Sequence, residues 1–183
     1  ADLLFIDTES AVNKLCQQKY KSDADAVLSI IKAAAFFSPS AINITLKRGL
    51  LTVETTDGII SSDLFKYAAL FSSNAADSVR LEALDYLEKE PGSFIIAVFS
   101  RAYKKIIIEW QSNDISQGLI FFPKKEPYSY TSPSRKGLKI VISGLLGNTA
   151  IIGRLKDRCR FSLIPITING RNVSKGLRLA ACL

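Results

Sequence analysis

The stretch SAINITLKRGLLTVETTDGI, residues 40–59, decides the fold. Ile42, Ile44 and Leu46 alternate with Asn43 and Thr45, the period-2 pattern of a strand with one buried face. Leu51 and Val53 alternate with Thr52 and Glu54 in the same way. Lys47-Arg48-Gly49 joins the two runs and is too short for a crossover, so 41–47 and 50–56 form an antiparallel hairpin. The second strand leads through Thr55 and Thr56 to Asp57 and Gly58, and Ser61 or Ser62 can cap the helix that follows. Two readings of Asp57-Gly58 stand here. One is a plain turn between strand and helix; the other is a carboxylate held where a ligand arrives.

Working towards the N-terminus, helical patterning covers 9–20 after Thr8 and 23–37 after Ser22. Ser22 and Asp25 have capping-box spacing. Val27, Ile30, Ile31 and Ala34 make one apolar face, and Ser38-Pro39 stops the helix because a residue before proline avoids helical geometry. Towards the C-terminus, helices are expected near 62–72 and 76–90, the second with an inner stripe of Val79, Ala83, Leu84 and Leu87. Pro91-Gly92 ends it. Strands are expected at 94–100, 104–111, 117–122 and 137–143, with Trp110 in the core. The segment FPKKEPYSYTSPSRKG, 122–137, reads as a long loop of the kind that is often mobile and sometimes a lid. A helix at 149–160 buries Ile151, Ile152, Leu155 and Cys159, and a strand at 164–168 leads to the turn Asn169-Gly170. This order lacks regular βαβα alternation. It predicts an α+β fold, a two-layer sandwich with helices on one face of a mostly antiparallel, mixed sheet.

Composition bounds the function. At 183 residues, with 48% hydrophobic and 22% charged, the chain has the balance of one globular domain with a real core. No apolar run approaches membrane-span length, so no membrane partner is expected. Cys16, Cys159 and Cys182 are odd in number and none form CxxC, which fits a reducing, cytoplasmic setting. Histidine is absent, which excludes Ser-His-Asp and Cys-His catalysis and an ordinary His-ligated zinc site. The charge of +7 is uneven: residues 1–100 carry 9 Lys/Arg against 13 Asp/Glu, and residues 101–183 carry 15 against 4. The basic half can face nucleic acid or another polyanion, or simply form a soluble surface.

The element order, together with particular stretches, resembles the GHKL ATP-binding family of gyrase, the ninety-kilodalton heat-shock chaperones, histidine kinases and MutL. Helix 23–37 followed by SAINITLKRGLLTVETTDGI is similar to that family's first motif helix, hairpin and Asp-Gly turn. PGSFIIAVFSRAYKKIIIEW (91–110), KGLKIVIS (136–143) and LKDRCRFSLIPITINGR (155–171) resemble later parts of the chaperone branch. The likeness covers roughly 23–170 of a single domain spanning 1–183, and the apolar end LRLAACL fits the N-terminal part of a longer protein.

The resemblance implies a ligand, ATP or ADP, and a lid that closes to signal to a client or partner protein. It also implies roles for residues. The family's water-polarising Glu aligns with Ser29 and its magnesium-ligating Asn, four residues on, with Ala33. Serine alone is not a general base and alanine cannot bind metal, so hydrolysis is expected to be weak or lost and magnesium is in doubt. Asp25 and Asn43 are the nearest residues of the missing types, but each is displaced from the motif position. The Thr that helps hold adenine aligns with Leu138. Asp57 is then the adenine-reading carboxylate and Gly58 lets the backbone approach. Gly92 aligns with a lid glycine, or it caps a helix. Lys32 reaches a phosphate, or it is an exposed helix lysine.

Two other readings stay open. A basic α+β module contacts nucleic acid through 101–178, where Tyr128 and Tyr130 lie beside Lys124, Lys125, Arg135 and Lys136. Alternatively, the domain serves only partner binding. Gly144-Leu145-Leu146-Gly147-Asn148 precedes a helix but lacks the GK[ST] ending of a phosphate loop.

Overall fold

The hairpin forms as its alternation requires. In a computed structural model describing residues 20–175 except 59, 90, 100, 102, 113–114, 133–135 and 145–147, together with Ser10 and Lys14, β1 (Ile42–Lys47) pairs antiparallel with β2 (Leu50–Thr55). Lys47 faces Leu50, so the loop is two residues, Arg48 and Gly49, both at positive φ (49° and 76°). That is the turn whose twist matches the strands it joins. Ile42, Ile44 and Leu46 are buried, while Asn43, Thr45 and Lys47 face solvent. Full burial of each isoleucine contributes about 1.5–3 kcal/mol, which fixes the register because a one-residue slip would expose all three.

The remaining elements are α1 (Asp23–Phe36), α2 (Ser62–Ser72), α3 (Asp77–Glu88), α4 (Ser93–Phe99), β3 (Lys105–Ser112), β4 (Ile115–Phe121), β5 (Tyr128–Thr131), β6 (Leu138–Ser143), α5 (Asn148–Cys159), β7 (Ile166–Ile168) and β8 (Arg171–Asn172). The eight strands among the described residues form one sheet in the order β5-β4-β3-β6-β2-β1-β7-β8. Every pairing is antiparallel except β1 with β7, which makes the sheet mixed. Among the described residues, helices cover one face of the sheet and not the other, so the fold is the α+β two-layer sandwich expected. The core lies between the layers. Trp110 of β3 is buried there, stacked on Phe65 of α2 with ring centroids 3.8 Å apart.

Several expectations are corrected. Of the strand expected over 94–100, the described residues 94–99 belong instead to α4, which packs against α1 and α3. Phe94, Ile95, Ile96, Ala97 and Val98 are all buried, and an unbroken apolar run looks alike as buried strand or buried helix. The loop expected over 122–137 contains β5, whose Tyr130 hydroxyl donates to Glu109 Oε1 at 2.9 Å. Val79 is not part of the inner stripe of α3: it is exposed, and Ala83, Leu84 and Leu87 are buried without it. β8 follows the Asn169-Gly170 turn and was not anticipated. The helix expected over 9–20 lies outside the described residues apart from Ser10 and Lys14, which are helical.

Candidate functional site

Asp57 sits where β2 leaves the sheet. Its Oδ1 accepts the Ser40 backbone N–H at 2.6 Å and its Oδ2 accepts the Ser40 hydroxyl at 2.5 Å. The Thr56 hydroxyl lies 3.3 Å from Oδ1. The Ser40 hydroxyl above all, then the Ser40 N–H, hold the carboxyl below its usual value of 3.8, with Thr56 and the Lys136 charge adding to the effect. Gly58 has φ +127°, and a Cβ there would sit 3.0 Å from the Phe37 carbonyl oxygen, so only glycine fits. Gly137, at φ +77°, brings the start of β6 so close that its Cβ would lie 3.0 Å from the Asp57 nitrogen. Asp57 and Gly58 open onto a cleft of about 760 Å³ whose walls include Phe36, Phe37, Leu64 and Tyr86. Phe36 is 61% exposed, and its ring meets Phe37 edge to face with centroids 6.0 Å apart.

The aligned catalytic positions lie elsewhere. Ala33 has no exposed surface and packs in the core. Ser29 is 7% exposed and lines a separate cavity of about 680 Å³ formed by α1, α4 and α5, which also includes Lys32, Arg154 and Arg158. The Ser29 hydroxyl has no hydrogen-bond partner among the described residues. Asp25 lies in this cavity too. It and Ser22 form the expected capping box: the Ser22 hydroxyl donates to Asp25 at 2.7 Å, and the Asp25 N–H donates back at 3.3 Å. Arg154 donates to the Ser22 hydroxyl at 2.8 Å and stands 3.7 Å from Asp25. That hydroxyl, chiefly, and the Arg154 charge keep Asp25 acidic against the opposing effect of burial.

The structure therefore divides the residues that the family resemblance gathers into one pocket. Asp57 and Gly58 line one cleft, and Ser29 and Lys32 line another. Gly92 lines neither and is a buried turn glycine, its N–H donating to the Lys89 carbonyl at 2.7 Å and its carbonyl accepting from Ile95 at 2.9 Å. Its neighbours Pro91 and Ser93 line the Asp57 cleft and the α1–α5 cavity respectively. Leu138 is fully buried, with its N–H on Thr55 Oγ1 at 2.8 Å. Arg154 and Arg158 went unremarked as ligand groups because nothing in the sequence places α5 beside α1.

Magnesium does not fit the motif positions, since neither Ser29 nor Ala33 offers a carboxylate or amide oxygen. Among the described residues no cluster of three or more His, Cys, Asp and Glu exists. No described helix is long and apolar enough to cross a membrane. In 122–137 the Tyr128 and Tyr130 rings lie at 12° to each other, and Lys125, together with Lys105 of β3, stands 5.7 Å from the Phe122 ring centre. Arg135 and residues 145–147 of the candidate anion loop are outside the described residues.

No protein-family model matches the chain, and no curated protein matches it. Among solved structures it is similar to one described as the N-terminal domain of a DNA repair protein, with a TM-score of 0.59 and 12% sequence identity. The match covers 89% of this chain and 53% of that one, so the chain spans about half the length of the solved structure. At this identity the likeness shows a shared fold.

Proposed function

We propose that the chain is a chaperone-like GHKL nucleotide-binding domain that takes the base of ATP or ADP in the Asp57 cleft and has lost hydrolysis. The observation that carries this reading is the placement of Asp57. Ser40 orients an ionised carboxylate at the mouth of a cleft walled by Phe36, Phe37 and Tyr86. A planar base with an exocyclic amino group suits such walls, and Oδ2, which accepts one hydrogen bond of the two it can take, is the atom left to receive the amino proton. With Ser29 and Ala33 at the motif positions there is neither a general base nor a metal ligand. Among the described residues no Lys or Arg lines the cleft, so the phosphates gain little and affinity is low. The domain then signals to a partner protein by nucleotide occupancy rather than turnover.

A nucleic-acid surface is the weaker reading. Lys139 is paired with Glu54 at 3.3 Å, and Tyr130 is tied to Glu109, so part of the aromatic and basic face is already engaged. Titration calorimetry with ADP and a non-hydrolysable ATP analogue, each with and without magnesium, tests the proposal. Binding that ignores magnesium and weakens about tenfold in Asp57→Asn is expected, the loss of one hydrogen bond to a charged group. No binding at millimolar nucleotide, or full binding by Asp57→Asn, would overturn it.

A further inference from the structure

We infer a second binding site, for a phosphate monoester carried on an apolar stem, in the cavity between α1, α4 and α5. Lys32 comes from α1 and Arg158 from α5, and neither has an acidic partner among the described residues. Arg154 is the third cation, and Asp25 offsets it. Two positive charges are thus left uncompensated on one cavity. Ser29, a residue more than nine-tenths buried, lines the same cavity, and its hydroxyl has no partner among the described residues.

These groups suit a tetrahedral oxyanion. A guanidinium offers paired N–H donors, an ammonium supplies a point charge, and a hydroxyl donates to a third oxygen. Much of the remaining wall is apolar, with Leu28, Ile31, Ala35 and Ile166 beside Ser93 and Ser162. About 680 Å³ exceeds what a bare phosphate fills and falls within the range of small-molecule sites. The ligand is therefore an organic phosphate rather than the free ion. Nothing in this site depends on Asp57, since the two cavities share no lining residue among those described.

The test is titration calorimetry of the whole chain at low salt with phenyl phosphate and with inorganic phosphate. Phenyl phosphate is expected to bind about tenfold tighter than inorganic phosphate, because its ring buries apolar surface. Lys32→Ala and Arg158→Ala are each expected to weaken phenyl phosphate about tenfold, and Ser29→Ala by a few fold. Lys32 and Arg158 are exposed, so both variants should keep the wild-type unfolding midpoint. Asp57→Asn should leave phenyl phosphate binding unchanged, and ADP should not displace it. Undetectable phenyl phosphate binding would overturn the inference and leave the nucleotide proposal intact. Unchanged affinity in the Lys32→Ala/Arg158→Ala double variant would overturn it as well, as attraction spread over the basic surface. Displacement by ADP would merge the two sites and so refute a separate one.

Discussion

The two cavities beside α1 hold their polar groups in opposite ways. At the Asp57 cleft the carboxylate is already engaged: Ser40 donates twice and Thr56 stands within reach, so three of its four acceptor positions are taken. In the α1–α5 cavity Ser29, Lys32 and Arg158 have no partners among the described residues. Asp57 therefore belongs first to the fold. It ties the chain entering β1 to the chain leaving β2, and a ligand can use only what remains. Asp25 and Arg154 of that cavity tie α5 to the start of α1, but Ser29, Lys32 and Arg158 make no such bonds among the described residues, so their capacity is open to a ligand. A polar group's identity is weaker evidence for binding than the bonds it has already made.

The strongest way to break the contrast is at Gly92, between the two cavities. A Cβ there would lie 2.8 Å from Leu87 Cα and 2.9 Å from its carbonyl oxygen, against backbone that cannot swing aside. Gly92→Ala is expected to destabilise the protein by about 1–3 kcal/mol, seen as a lower urea midpoint with an unchanged slope. Because Pro91 and Ser93 each line one cavity, the variant should weaken both nucleotide and phenyl phosphate binding. Loss at one site alone would show that the turn does not couple them.

What was legible in the sequence follows the same physical line. The hairpin could be read because one face is buried and the other wet, so Ile42, Ile44 and Leu46 stand out against Asn43 and Thr45. The cap on α1 could be read because Ser22 and Asp25 are neighbours in the chain. Helix α4 could not, since it is enclosed between α1 and α3 and carries no polar stripe to reveal its period. Strand β5 could not either: as the sheet's last strand it shows little burial on either face, and its Pro, Ser and Lys surroundings look like loop. Of the candidate sites, Asp57-Gly58 was visible as a turn with a carboxylate, but its partner Ser40 lies 17 residues away. Lys32 and Ser29 were visible only as motif positions. Their significance depends on Arg158, whose approach is set by tertiary packing.

Asp25 offers a way to sharpen the contrast, being the one acidic group among the described residues of the cation-lined cavity. Its depressed pKa means that its stabilisation is fully present above about pH 4 and is lost as pH falls through the folded-state value. Asp25→Asn should cost about 0.5–1 kcal/mol at neutral pH by weakening the cap and the Arg154 contact. Below pH 4 the gap to wild type should close, as thermal midpoints measured against pH would show. The same change removes the counter-charge to Arg154, so phenyl phosphate should bind a few fold tighter. Tighter binding with an unchanged acid profile would mean that Asp25 acts on the cavity but not on the cap.

Ser40→Ala should have the smallest effect and separates the two roles of Asp57. The variant removes the hydroxyl from Oδ2 and leaves the backbone N–H on Oδ1. Because the lost bond favours the charged carboxylate, the Asp57 pKa should rise towards 3.8, a shift that carboxyl carbon NMR can follow site by site. Ligand binding is the more informative readout, since the change frees one acceptor position and also loosens the carboxylate. If Ser40 chiefly orients Asp57, nucleotide affinity falls a few fold as the side chain samples other rotamers. If Ser40 chiefly competes with the ligand, affinity rises by a similar factor. The cleft proposed here requires the first result, because the held carboxylate is what distinguishes it from an ordinary Asp-Gly turn.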